Sequence, residues 1–139
     1  MKILEIYAKY KIPPQLQTHQ LRVAAVSKLI CNNLKNFSET EIVVKNSLNN
    51  NLPLKICACC DFRVTPHAVT SLRERLDEAR ARCNNNLKMI QSDPEKFEAA
   101  RAALINIEKE IFSSSSIKPE DINDESARDV IEDLKSMDI

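Results

Sequence analysis

Apolar residues recur every three or four positions along most of this chain, and sustained strand-type alternation is scarce. That spacing places apolar side chains on one face of a helix, so the pattern predicts an all-α fold. Residues 2 to 10 read as a first helix. Pro13 and Pro14 stop it and start the next, because proline suits a first helical turn. The second helix is expected from Pro14 to Leu34, with Leu16, Val23, Val26 and Ile30 on its buried face and His19 on that same face. Ser38 and Glu41 form a capping-box pattern that opens a third, fading into the asparagines at 49 to 51.

Leu54 to Val64 is apolar nearly all round and reads as a central buried helix that carries Asp61 and ends at Pro66. Two longer seams follow. One is Leu72, Leu76, Ala79, Cys83, Leu87 and Ile90; the other is Phe97, Ala100, Leu104, Ile107 and Ile111. Ser92-Asp93-Pro94-Glu95 supplies a cap, a first-turn proline and a first-turn acid between them, so an antiparallel helical hairpin is expected. Ser113 to Ser116 is a break. A last helix, about Glu125 to Met137, carries Ala127, Val130, Ile131 and Leu134 on one side.

Composition narrows the function classes. The 139 residues contain no glycine, against roughly ten at the usual share of about 7%. Glycine-rich phosphate loops and dinucleotide fingerprints are thereby excluded. Asparagine clusters at 32 to 33, 49 to 51 and 84 to 86 are expected to take the left-handed positions glycine would fill. Twenty basic and twenty acidic residues cancel, which gives no reason to expect nucleic-acid or acidic-membrane binding. No run reaches the ~18 apolar residues of a membrane span. The opening MKILEIYAKYK lacks a signal-peptide core, and a cytoplasmic location is expected. With no secretory signal, the five cysteines are expected to be reduced.

Four features are candidates for chemistry or contact. Cys57 and Cys60 form a C-x-x-C with Cys59 inside it and His67 nearby, but no second ligand pair sits at zinc spacing. Small buried thiols are the plainer reading. The charged stretch from Arg73 to Arg82 interleaves both signs, which suits a solvated helix face more than an RNA groove. The C-terminal seams suit packing on each other or on a second chain. Finally, His19 lies on an apolar face and Asp61 in an apolar helix; a buried carboxylate needs a partner, and Arg22, Arg63 and His19 are candidates.

Two segments carry a family resemblance. THQLRVAAVSKLICNNL (Thr18 to Leu34) and LKICACCDFRVTPHAVTSLRERL (Leu54 to Leu76) resemble the opening and closing parts of an HD-domain metal-dependent phosphohydrolase. That family binds its metal with a His, an adjacent His-Asp pair and a later Asp. His19 matches the first ligand and Asp61 the last. The middle pair is absent: about forty residues separate His19 from Asp61, and none is His. The resemblance implies an HD-like helical domain over residues 1–90, shortened near residues 43 to 52, with C-terminal helices over 91–139 packing on it. It implies at most one weakly held divalent ion (Fe, Mn or Zn) on His19 and Asp61. Such an ion would acidify a water and polarise a phosphoryl group, and the substrate would be a small phosphate compound such as a nucleotide. Loss of two ligands implies impaired or absent catalysis. The alternative is a non-catalytic helical protein acting by partner binding or self-association, since a deletion exposes apolar surface that favours a homodimer.

Overall fold

The structure, a computed structural model, describes residues 1–35, 52–85 and 93–138. The fold is all-α. Six α-helices are present among the described residues: α1 (Ile3–Lys9), α2 (Pro14–Asn33), α3 (Leu52–Phe62), α4 (Leu72–Asn85), α5 (Pro94–Ser113) and α6 (Asp124–Ser136). A short 3-10 turn, Pro119–Asp121, precedes α6. The helix expected after Ser38, the asparagines at 49 to 51, Asn86, and Leu87 and Ile90 of the seam that begins at Leu72 lie outside the described residues.

Local chemistry sets most boundaries. α1 ends in a Schellman motif: Lys11 N–H donates to the Ala8 carbonyl at 3.2 Å, and Ile12 N–H to the Tyr7 carbonyl at 3.0 Å. The motif needs a left-handed residue, and Lys11 takes it at φ 51°. The expectation that asparagines would fill such positions fails for Asn32, Asn33, Asn84 and Asn85, all of which lie inside helices. Pro14 opens α2 as its first residue. Asp93 caps α5 by accepting from Glu95 N–H at 3.0 Å, with Pro94 next. Asn123 caps α6 and accepts from the N–H groups of Glu125 and Ser126. Ser71 and Glu74 form a reciprocal capping box at the start of α4.

α2 is the spine. It packs chiefly against α6 and α3, while α5 lies against α3. One apolar core runs through these elements, with Ala25, Val26 and Ile30 of α2, Ile56 and Cys59 of α3, Ile111, Ile122 and Ala127 all buried. Residues from both sides of position 90 therefore share that core. The seam of α2 is rotated from the expected one: Leu21, Ala25, Val26 and Ile30 are buried, whereas Leu16 is 42% exposed and Val23 half-buried. The first turns of α2 border an open cleft, so the apolar residue there meets solvent.

α4 and α5 are antiparallel. Arg101 meets Asp77 at 2.6 Å and Arg80 meets Glu98 at 2.9 Å, two ion pairs that advance by three along one helix and retreat by three along the other. The charged face of α4 is thus stitched partly to its neighbour rather than only along itself. Ala100 is exposed, so the seam of α5 narrows to Ile111 with half-buried Phe97, Leu104 and Ile107.

Candidate functional site

α3 departs from the sequence expectation in a way that defines the site. The helix is not buried all round: Leu54 is 61% exposed, Cys57 is exposed, and the Asp61 side chain is 61% exposed. Only the face carrying Ile56, Cys59 and Cys60 is buried. The carboxylate expected in the interior stands at the surface, and the buried charge of this segment is instead Arg63, at 1% exposure.

Asp61 nevertheless has a specific partner. His19 Nε2 lies 3.0 Å from Asp61 Oδ1, joining α2 to the last turn of α3. Of the three partners the sequence offered for Asp61, His19 is the one the fold selects. Arg22 donates to the carbonyls of Pro66 and His67, both at 2.8 Å, and pins the loop after α3 onto α2. Arg63 turns inward to Glu108. The His19–Asp61 contact lies in a shallow cleft walled by Leu16, Gln20, Val23 and Ala24.

The geometry allows a direct test of the implied metal. Metal–ligand bonds to His nitrogen and carboxylate oxygen are about 2.1 Å long, so two of them at a right angle set their donor atoms about 3 Å apart. The observed spacing fits that edge of a coordination shell. The rest of the shell does not follow. A catalytic centre of this kind uses three or more protein ligands, and among the described residues no group of three or more His, Cys, Asp or Glu is placed to hold an ion. Among the described residues the donor set fits two corners and does not complete a site.

The cysteines divide by environment. Cys59 and Cys60 are buried, and burial pushes both thiols up to about 12. For Cys60 a hydrogen bond with Ser27 opposes that rise. Burial also raises the Cys31 thiol. Thiolate is the form that attacks disulfides and binds soft metals, so Cys59 and Cys60 are chemically quiet members of the core. The C-x-x-C is split, with Cys57 exposed and Cys60 buried. His67 is exposed in the Thr65–Ala68 turn.

The sequence offered Arg63 as a partner for Asp61; the fold turns it to Glu108 instead. Its Nη1 donates to Glu108 Oε2 at 2.7 Å, and its Nη2 donates to the carbonyls of Pro119 at 2.6 Å and Ile122 at 3.1 Å. One guanidinium therefore ties the chain just past α3 to α5 and to the turn before α6.

Comparison with protein-family models, with curated proteins and with solved structures finds no match. Among the described residues no helix is long and apolar enough to cross a membrane.

Proposed function

We propose that this chain is a shortened HD-like helical protein with impaired phosphohydrolase chemistry, in which His19 and Asp61 are the remainder of the metal-ligand set. The supporting observation is their convergence. Two residues selected by family motif, 42 positions apart, meet at 3.0 Å beside an open cleft. A ring nitrogen and a carboxylate oxygen in contact form a donor pair for one divalent ion, with the remaining positions left to water or to a small phosphate compound. Two protein donors hold such an ion weakly, which is the physical reason for impaired turnover.

The test is elemental analysis of the purified protein together with a phosphoester hydrolysis screen, run on the wild type, His19→Ala and Asp61→Ala. Metal that is present in the wild type and lost in Asp61→Ala, with weak turnover following it, supports the reading. A folded, metal-free wild type whose turnover equals that of both variants would overturn it.

A second reading is favoured by a different observation. Leu4, Leu16 and Leu54 present 45%, 42% and 61% of their surface, and the charges balance to zero. On this reading the protein is non-catalytic and acts by association, most simply with a second copy, and the His19–Asp61 contact is a clasp between α2 and α3. Sedimentation across a concentration series separates a monomer from a dimer.

A further inference from the structure

Of the five thiols, Cys57 is exposed, Cys31 and Cys83 are half-buried, and Cys59 and Cys60 are buried. None of them lines the His19–Asp61 cleft. Cys31, Cys57 and Cys60 gather where α2 packs on α3.

The register of the two helices explains the gathering. Ser27 of α2 and Cys60 of α3 share a side-chain hydrogen bond. Both side chains are short, so the backbones run close together there. His19 and Asp61 meet on one side of that contact, toward the start of α2 and the end of α3. The helices therefore run in opposed directions. On the other side, Cys31 comes one turn beyond Ser27 and Cys57 one turn before Cys60. Residues one turn apart share a helix face, so both cysteines follow the Ser27–Cys60 contact at the same end of the interface. Their electrostatics agree. Burial, and then the neighbouring Cys57, push the Cys31 thiol up. After burial and the opposing Ser27 bond, Cys31 and Cys57 both push Cys60 up in turn.

Two thiols neighbour Cys57, and geometry separates them. Cys60 is three positions along the same helix, where Cβ atoms stand about 5–6 Å apart. A disulfide needs about 3.5–4.5 Å, so that bridge would unwind α3. Cys31 lies on a different helix, half-buried against the core. A small shift of one helix against the other brings those two sulfurs together without breaking a helical hydrogen bond.

We propose that Cys31 and Cys57 form a modification site, oxidised by hydroperoxides to a reversible disulfide that staples α2 to α3. The exposed Cys57 thiolate attacks the peroxide. An S–O bond forms as the O–O bond breaks, leaving a sulfenic acid, and hydroxide departs as water with the Cys57 proton. The Cys31 sulfur then attacks the sulfenic sulfur. The S–S bond forms, the S–O bond breaks, and hydroxide leaves with the Cys31 proton as a second water. The two thiols give up two electrons and the peroxide takes two. This site is independent of metal at His19 and Asp61, and neither outcome of the metal test bears on it.

The experiment treats the whole reduced protein with hydrogen peroxide, alkylates the remaining thiols and maps peptides without reduction by mass spectrometry. It is run on the wild type, Cys31→Ser and Cys57→Ser. The expected result is a Cys31–Cys57 cross-linked peptide in the wild type, lost in both variants and reversed by dithiothreitol. Cys31→Ser should instead accumulate Cys57 sulfenic acid, trapped by dimedone. The link closes a loop of about 26 residues and so constrains the unfolded chain. The oxidised wild type should therefore show a higher urea midpoint than the reduced protein, and neither variant should show that shift. The proposal is overturned if Cys57 proceeds to sulfinic acid without a link, if it links to Cys60, or if it links only between two chains. A linked protein whose midpoint is no higher also overturns it, because the bond would then strain the packing it is meant to hold.

Discussion

Arg63 and Glu108 form an ion pair at 2.7 Å, with the arginine 1% and the glutamate 15% exposed. They are 45 positions apart and join the residue that follows α3 to α5. The Phe112 ring lies 5.9 Å from the guanidinium carbon and covers it further. Removing one member of a buried pair leaves the other charge unsolvated, which destabilises by about 3–5 kcal/mol. Glu108→Ala is therefore expected to lower the unfolding free energy by about that amount in urea titration. A loss below about 1 kcal/mol would show that solvent reaches Arg63.

The His19–Asp61 contact should behave differently. Its side chains are 32% and 61% exposed, so water screens the interaction and competes for both groups. Asp61→Asn is expected to change stability by less than about 1 kcal/mol, read from the same titration. A loss of several kcal/mol would assign the pair to the core instead of the surface.

Thiol labelling should follow exposure. Cys57 is exposed and is expected to react first with a thiol-specific reagent, and half-buried Cys31 and Cys83 more slowly. Cys59 and Cys60, buried and raised to about 12, are expected to react only after unfolding. Peptide mapping of the labelled protein over time distinguishes the sites. Early labelling of Cys60 would contradict the packing of α3 against α2.

The same two thiols predict an alkaline weakness. In the unfolded chain a cysteine loses its proton near 9.0; in the fold these two keep it to about 12. Between those values the native state binds more protons than the unfolded state, so stability falls as pH rises. Their contribution is fully present below about pH 9 and is lost progressively toward pH 12. Urea midpoints measured from pH 8 to 10.5 should decline, and the decline should be shallower in Cys60→Ala than in the wild type.

Lys11 offers a stabilising change. It holds the left-handed C-terminal cap of α1 at φ 51° in a chain without glycine. A residue with a Cβ pays roughly 1–2 kcal/mol there, offset in glycine by its greater freedom when unfolded. Lys11→Gly is expected to raise the melting temperature, with a gain of about 1 kcal/mol or less. A fall would show that the lysine side chain contributes more than its backbone strain removes.

The elements themselves were largely legible in the sequence. Pro14, Pro94, the serines from Ser113 and the apolar spacing of Ala127, Val130, Ile131 and Leu134 act through bonds and contacts within a few residues, and the helices start and stop near the positions they mark. The sequence also nominated His19 and Asp61 together. Their 3.0 Å contact depends on how α2 and α3 pack, a relation between segments 42 positions apart that no local pattern specifies.

Which charge is buried was decided by tertiary structure alone. Hydropathy reads Leu54 to Val64 as one apolar helix and cannot say which of Asp61 and Arg63 turns inward. α3 ends at Phe62, so Arg63 leaves the helical register and reaches Glu108 and two carbonyls before α6, while Asp61 stays on the outer face beside His19. The sequence by itself determined an all-α chain and its main helix boundaries, and it nominated His19 and Asp61 without specifying their contact. The burial of Arg63 and the exposure of Leu16 came from packing. A side chain's burial depends on partners supplied by distant segments, whereas a helix cap is satisfied within one turn.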